Sequence, residues 1–142
     1  MANGAMLPAG TTESRKRASN WRNDVRIASI EAMGDRPPSL NCIRMMVEFR
    51  LPYPKSSVRK YQLGWLPHIK QPDVDKLLRM ILDAMTGIVW GDDSQVAFAT
   101  INKTYAWDNR TGAYVIIDFM SDESMRELAL AAREVTDVIE SL

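Results

Sequence analysis

One cysteine, one histidine and a net charge of zero leave this sequence poor in the residue types from which the most recognisable sites are built. The lone Cys42 excludes an internal disulfide framework and a cysteine-rich zinc site, and it favours a reducing, cytoplasmic setting. With no histidine beside it in sequence, the thiol reads as a small buried hydrophobe. No apolar run approaches the ~20 residues of a membrane span. The opening "MANGAMLPAG" lacks the basic start and long apolar centre of a signal peptide, so residues 1–11 read as a flexible leader. Gly-rich phosphate loops, dinucleotide fingerprints and serine-hydrolase elbows are also missing. What is present suffices for a core: 142 residues, 46% hydrophobic and 25% charged, predict one folded domain over residues 12–142.

The zero net charge conceals an uneven distribution. Arg15, Lys16, Arg17, Arg22 and Arg26 cluster early, further cations are spread over residues 44–79, and residues 121–142 are acidic. Folding can therefore leave one basic and one acidic face.

Hydropathy periods organise the chain. Trp21, Val25 and Ala28 at helical spacing predict an early helix ending at Met33, broken by "GDRPPSL". Ile43, Met45, Val47, Phe49 and Leu51 alternate with Arg44, Glu48 and Arg50, the pattern of a half-buried strand. Residues 52–72 carry several prolines and no period, and mix Tyr53, Tyr61 and Trp65 with Lys55, Arg59, Lys60 and Lys70. A loop of that length and composition suits stacking on bases and pairing with phosphates, although its aromatics could equally tuck onto the core. His68 lies in it as a weaker candidate for phosphate contact.

Val74, Leu77, Leu78, Ile81, Leu82 and Met85 then mark an amphipathic helix, with Asp73 near its N-cap and Thr86-Gly87 as its stop. Asp75, Arg79 and Asp83 form a row on its polar face. A Gly-Asp-Asp turn leads to a strand from about Gln95 to Tyr105, and "DNRTG" to a second strand "AYVIIDF", read as an antiparallel hairpin. Ser121 caps a final helix whose expected buried face is Met125, Leu128, Ala132, Val135 and Ile139. The order helix, strand, helix, hairpin, helix predicts a mixed α/β (α+β) domain, a small mixed sheet packed by helices.

The chemistry concentrates in acids. Asp73 taken alone is a helix cap, and Asp92-Asp93 good turn residues. Together with Asp75 they make a hard oxygen set suited to Mg²⁺, with Mn²⁺ as a substitute, and Mg²⁺ points to phosphate chemistry. Lys76 or Arg79 would help neutralise a phosphate. The residues alone lead as far as a metal-dependent phosphodiester or phosphate enzyme.

The block "HIKQPDVDKLLRMILDAMTGIVWGDDSQV" closely resembles the core of the RusA family of Holliday junction resolvases of phages and prophages, whose members read roughly K-P-D-x-D-N-L-x-K-x-x-x-D-A-L followed by D-D-x-Q-V. The likeness extends more loosely over residues 20–120. It implies a homodimeric, Mg²⁺-dependent endonuclease acting on branched DNA in recombination and repair, with paired nicks across a four-way junction. By the same resemblance the catalytic acids fall on Asp73, Asp75 and Asp93, with Asp92 as the neighbouring acid. Lys103 follows in the next strand as a further candidate to contact DNA. The chain departs from the pattern in three places: Lys76 replaces the asparagine, Arg79 replaces the helix lysine, and the usual opening strand has no counterpart. A branched-DNA-binding protein that no longer cuts, and a Mg²⁺-dependent nucleotide hydrolase, are the alternatives.

Overall fold

The computed structural model describes residues 12–57, 64, 66–108 and 110–140, without the side chains of 12–15 and 132–140. The expected leader, residues 1–11, lies outside the described residues. Helix α1 (Thr12–Met33) is followed by strand β1 (Cys42–Leu51), helix α2 (Val74–Met85), strands β2 (Val96–Tyr105) and β3 (Gly112–Met120), and helix α3 (Asp122–Glu140). The α+β class expected from the hydropathy pattern is the one observed.

β1 forms the spine. Its alternating residues Ile43, Met45, Val47 and Phe49 are between 0 and 2% exposed. Burial of each such side chain stabilises by ~1.5–3 kcal/mol relative to exposure. Against them pack Leu77, Ile81 and Met85 of α2, Met33 of α1, and Val89 and Trp90 beyond α2, while Trp21 lies tilted on Phe49 at 6.2 Å between ring centroids. Cys42, at the start of β1, is only half-buried, not enclosed as expected.

The expected hairpin is not formed. The sheet order is β2-β1-β3, with β1 parallel to β2 and antiparallel to β3. Turn residues permit a hairpin, but side-chain burial decides which strand takes the middle. β1 carries the apolar row, whereas β2 offers Ala97, Ala99, Thr100 and Asn102, all exposed, and takes an edge. β2 and β3 therefore lie on opposite sides of β1, roughly 10 Å apart, or two strand spacings. α2 is the crossover that parallel pairing of β1 and β2 requires.

α2 ends as the sequence predicts. The Thr86 backbone N–H and hydroxyl both donate to Leu82 O, at 3.0 and 2.8 Å, and Gly87 follows at φ 81°, in the left-handed region that favours glycine. Trp90, fully buried, donates from Nε1 to Thr86 Oγ1 at 3.1 Å, and its carbonyl accepts from Gly87 N at 2.7 Å. Bridges from Trp90 to Thr86 and to Ser39 tie the helix end to the segment before β1.

α3 departs from expectation. Ser121 caps it, accepting from Ser124 N at 3.2 Å, but of the face expected to be buried Met125 is half-buried and Leu128 is 40% exposed. The helix packs on β3. The side chains of Ala132, Val135 and Ile139 lie outside the described residues.

Candidate active site

Asp73 occupies the N-cap position of α2 with extended backbone, yet its side chain makes no capping hydrogen bond. The carboxylate instead lies 2.9 Å from Lys76 Nζ, one turn on, with both side chains more than half exposed. Asp73 thereby raises the pKa of Lys76 above the ordinary lysine value, so the ammonium stays charged. Asp75, in the first turn, is exposed and makes no ion pair among the described residues. Both acids sit at the positive end of the helix dipole. Two exposed carboxylates at one helix end suit Mg²⁺, which takes one or two carboxylates and keeps several waters. Arg79 is exposed on the same face, and Asp83, next in that row, lies 4.0 Å from Arg22 of α1.

The second acidic pair is built differently. Asp92 is the N-cap of a short 3-10 turn, Asp93–Gln95, and its carboxylate accepts from Ser94 N at 2.8 Å. Hydrogen bonding from Ser94 holds Asp92 below the usual carboxylate range. Asp92 thus serves the turn, while Asp93, the next residue, is exposed. The residue that sequence reasoning passed over is Gln95. Its Oε1 accepts from Gly91 N and Asp92 N, each at 2.9 Å, and its Nε2 donates to Ser39 O and Asn41 O, each at 2.9 Å. The signal was available, since Asp92-x-x-Gln95 is a capping box. Gln95→Ala is expected to lower stability by about 1–2 kcal/mol through these lost bonds. Gln95→Glu, which keeps the acceptor oxygen but loses the two donations, is expected to fall between. Urea midpoints of the three chains check both.

The four aspartates do not converge within one chain. Among the described residues no three His, Cys, Asp or Glu lie within reach of a single metal ion. Asp73 and Asp75 stand at the start of α2, the Asp92-Asp93 turn beyond its end, and a helix of 12 residues intervenes. Its axis is about 18 Å long at 1.5 Å per residue. The three or four aspartates read from the sequence as one oxygen set thus form no such group within one chain among the described residues.

The expected DNA contacts divide. Lys55 and Lys70 are exposed, and Arg59 and Lys60, with Tyr61 and Trp65, lie outside the described residues. His68 packs its ring on Tyr105, centroids 4.6 Å apart, and donates its backbone N–H to Lys103 O at 2.8 Å. Burial, with help from the charge of Lys103, pushes its pKa below the ordinary histidine value, so it brings no positive charge to a phosphate near pH 7. Lys103 points its ammonium at protein: Nζ donates to Lys70 O at 2.6 Å and to Pro72 O at 2.7 Å.

A comparison with curated proteins gave no match. The family model described as Endodeoxyribonuclease RusA matches residues 4–118, a stretch that takes in α1, the whole of α2 with its acidic entry, the Asp-Asp turn and nearly all of the sheet. No helix among the described residues is long and apolar enough to cross a membrane. From the first strand to the last, then, what is folded around these acids is the domain of an endodeoxyribonuclease, and the chain belongs to the RusA family.

Proposed function

We propose that this protein resolves four-way DNA junctions by paired symmetric nicks, using Mg²⁺ and acting as a homodimer in the cytoplasm of a bacterial or phage-infected cell. The observation that carries the reading is the exposed pair Asp73 and Asp75 at the N-terminus of α2, uncommitted to capping, in a chain of this family. A cation held there supplies a water of lowered pKa and neutralises charge on the phosphate. Lys76 adds a fixed positive charge beside the acids, and Arg79 a second, one that does not serve as a proton donor near neutral pH.

What supports a dimer is the separation of the acids along α2. If Asp93 is to join Asp73 and Asp75 at one phosphate, it comes from a second copy, since among the described residues of one chain no three such acids lie within reach of a single ion. A two-fold pair of chains also places one site at each of two opposed strands of a junction. The exposed apolar residues Met46, Phe98 and Ile116 on the outer sheet face, and Leu128 and Leu130 on α3, offer surface for such an association.

The test is nicking of a labelled synthetic four-way junction against a linear duplex, in Mg²⁺ and in Ca²⁺. Symmetric cuts confined to the junction and to Mg²⁺ support the reading. Tight junction binding with no cut in either ion supports the non-cutting alternative, which the replacement of the family lysine by Arg79 favours. Because the grip rests on Lys55, Lys70 and the other loop cations, affinity is expected to fall on the order of 10³-fold between ~50 and ~200 mM salt. Filter binding across that range checks this, and a flat profile counts against a phosphate-based surface.

A further inference from the structure

The residue whose geometry asks for another explanation is Lys103. It lies near the end of β2, opposite Phe49 of β1, and is only half exposed. The chain returns past it: Tyr105 N donates to Leu66 O at 2.9 Å, Pro67 bridges to Thr104, and His68 N donates to Lys103 O at 2.8 Å. The side chain of Lys103 then reaches beyond this pairing to Lys70 O and Pro72 O. One residue therefore holds residues 68–72 at three points. The last of them is the carbonyl immediately before Asp73.

The chemistry fits this use. Prolines at 67 and 72 contribute no backbone N–H, so the segment is short of internal donors for its own carbonyls. An ammonium brings three donors on a flexible stem, and charged donors at 2.6 and 2.7 Å make strong hydrogen bonds. With two of the three donors engaged, little of Lys103 is left for a phosphate.

We propose that Lys103 is a positioning residue for the acidic pair: by clamping Lys70 O and Pro72 O to the end of β2 it fixes the direction in which the chain enters α2, and so where Asp73 and Asp75 point. The proposal rests on the reading of that pair as the cation site. Lys103→Met removes the donors at nearly constant size, and Lys103→Arg restores donors for two carbonyls.

The experiment follows three quantities in the full-length chain: Mn²⁺ binding by electron paramagnetic resonance, junction affinity in Ca²⁺ across a salt series, and the kcat and KM of junction cutting in Mg²⁺. Lys103→Met is expected to weaken Mn²⁺ binding or lower kcat by about 10–100-fold, the usual effect of losing support behind metal-binding residues. KM, junction affinity and its salt slope stay within about twofold of the native chain. Lys103→Arg recovers most of the loss.

Weakened junction binding with a salt slope shallower by about one phosphate, at unchanged Mn²⁺ affinity, would make Lys103 a DNA ligand and overturn the proposal. So would a drop in thermal stability of Lys103→Met that accounts for the loss and that arginine does not repair. A native chain that binds Mn²⁺ and cuts, beside a Lys103→Met chain that does both equally well, defeats the proposal alone. A native chain that does neither defeats the cation-site reading and the proposal with it.

Discussion

Asp75→Asn is expected to lose Mg²⁺-dependent junction cutting by on the order of 10³-fold while still binding the junction in Ca²⁺. The size follows from what the carboxylate does in the proposed site. A cation at a reacting phosphate supplies several kcal/mol of transition-state stabilisation, and each 1.36 kcal/mol is tenfold in rate. Asparagine keeps the shape and an oxygen but removes the charge that makes a hard-cation ligand. Folding is expected to survive, because Asp75 is exposed and makes no ion pair among the described residues. Binding is expected to survive as well, since the proposed phosphate grip rests on lysines elsewhere.

The same variant examines the shared site. Asp75→Asn and Asp93→Asn chains, each inactive alone, are unfolded together and refolded as a mixture. If each site draws Asp73 and Asp75 from one protomer and Asp93 from the other, mixed dimers hold one intact site and recover single nicks without paired ones. If all three acids served one chain's site, mixing would recover nothing. Cutting by Asp75→Asn at near the native rate would remove the acidic pair from the chemistry altogether.

Trp90→Ala is expected to cost about 3–5 kcal/mol, the largest single loss of stability among the core positions. Trp90 is fully buried, and it does more than fill volume. Its indole N–H satisfies Thr86 Oγ1, whose own hydrogen goes to Leu82 O, while its backbone bridges the end of α2 to Ser39. Alanine leaves a cavity and an acceptor without its donor, and slackens the join between α2 and the turn that carries Asp93. Trp90→Phe, which fills most of the space but cannot donate, is expected to lose less, with the indole hydrogen bond itself worth about 1 kcal/mol. Urea unfolding of the three chains checks the order. A loss below about 1 kcal/mol for alanine would mean that the neighbours collapse into the gap.

Particular residues show how far the sequence could be read. α2 was legible from Val74 to its Thr86-Gly87 stop, because a buried stripe at helical spacing and a glycine in the left-handed region are local facts. β1 was legible for the same reason, its buried residues falling at every second position from Ile43 to Phe49. The neighbours of β1 were not legible. Alternation says which face of a strand is buried and is silent on which strand lies alongside, so two consecutive strands passed for a hairpin.

The acids show the same limit on a longer scale. Their presence at both ends of α2 could be read, but whether they meet depends on the path the chain takes after the helix, which no local pattern announces. Lys103 and Gln95 were hardest to place because their partners are main-chain oxygens or N–H groups, which every residue carries and no side-chain pattern announces.

The central position of β1 has a consequence for how the protein comes into being. Both of its neighbours lie later in the chain, the first pairing at Val96 and the last at Met120. During synthesis, the most deeply buried strand is thus made before any strand that can cover its edges. Until β3 emerges from the ribosome, β1 presents open backbone on one side or both, the condition under which strands recruit foreign partners. Pairings this distant in sequence also close large loops before contacts reward them, which makes such folding slow. α2, formed locally and early, can lay its apolar stripe along the buried face of β1 in the interval, so the helix that carries the acids also shelters the unfinished sheet.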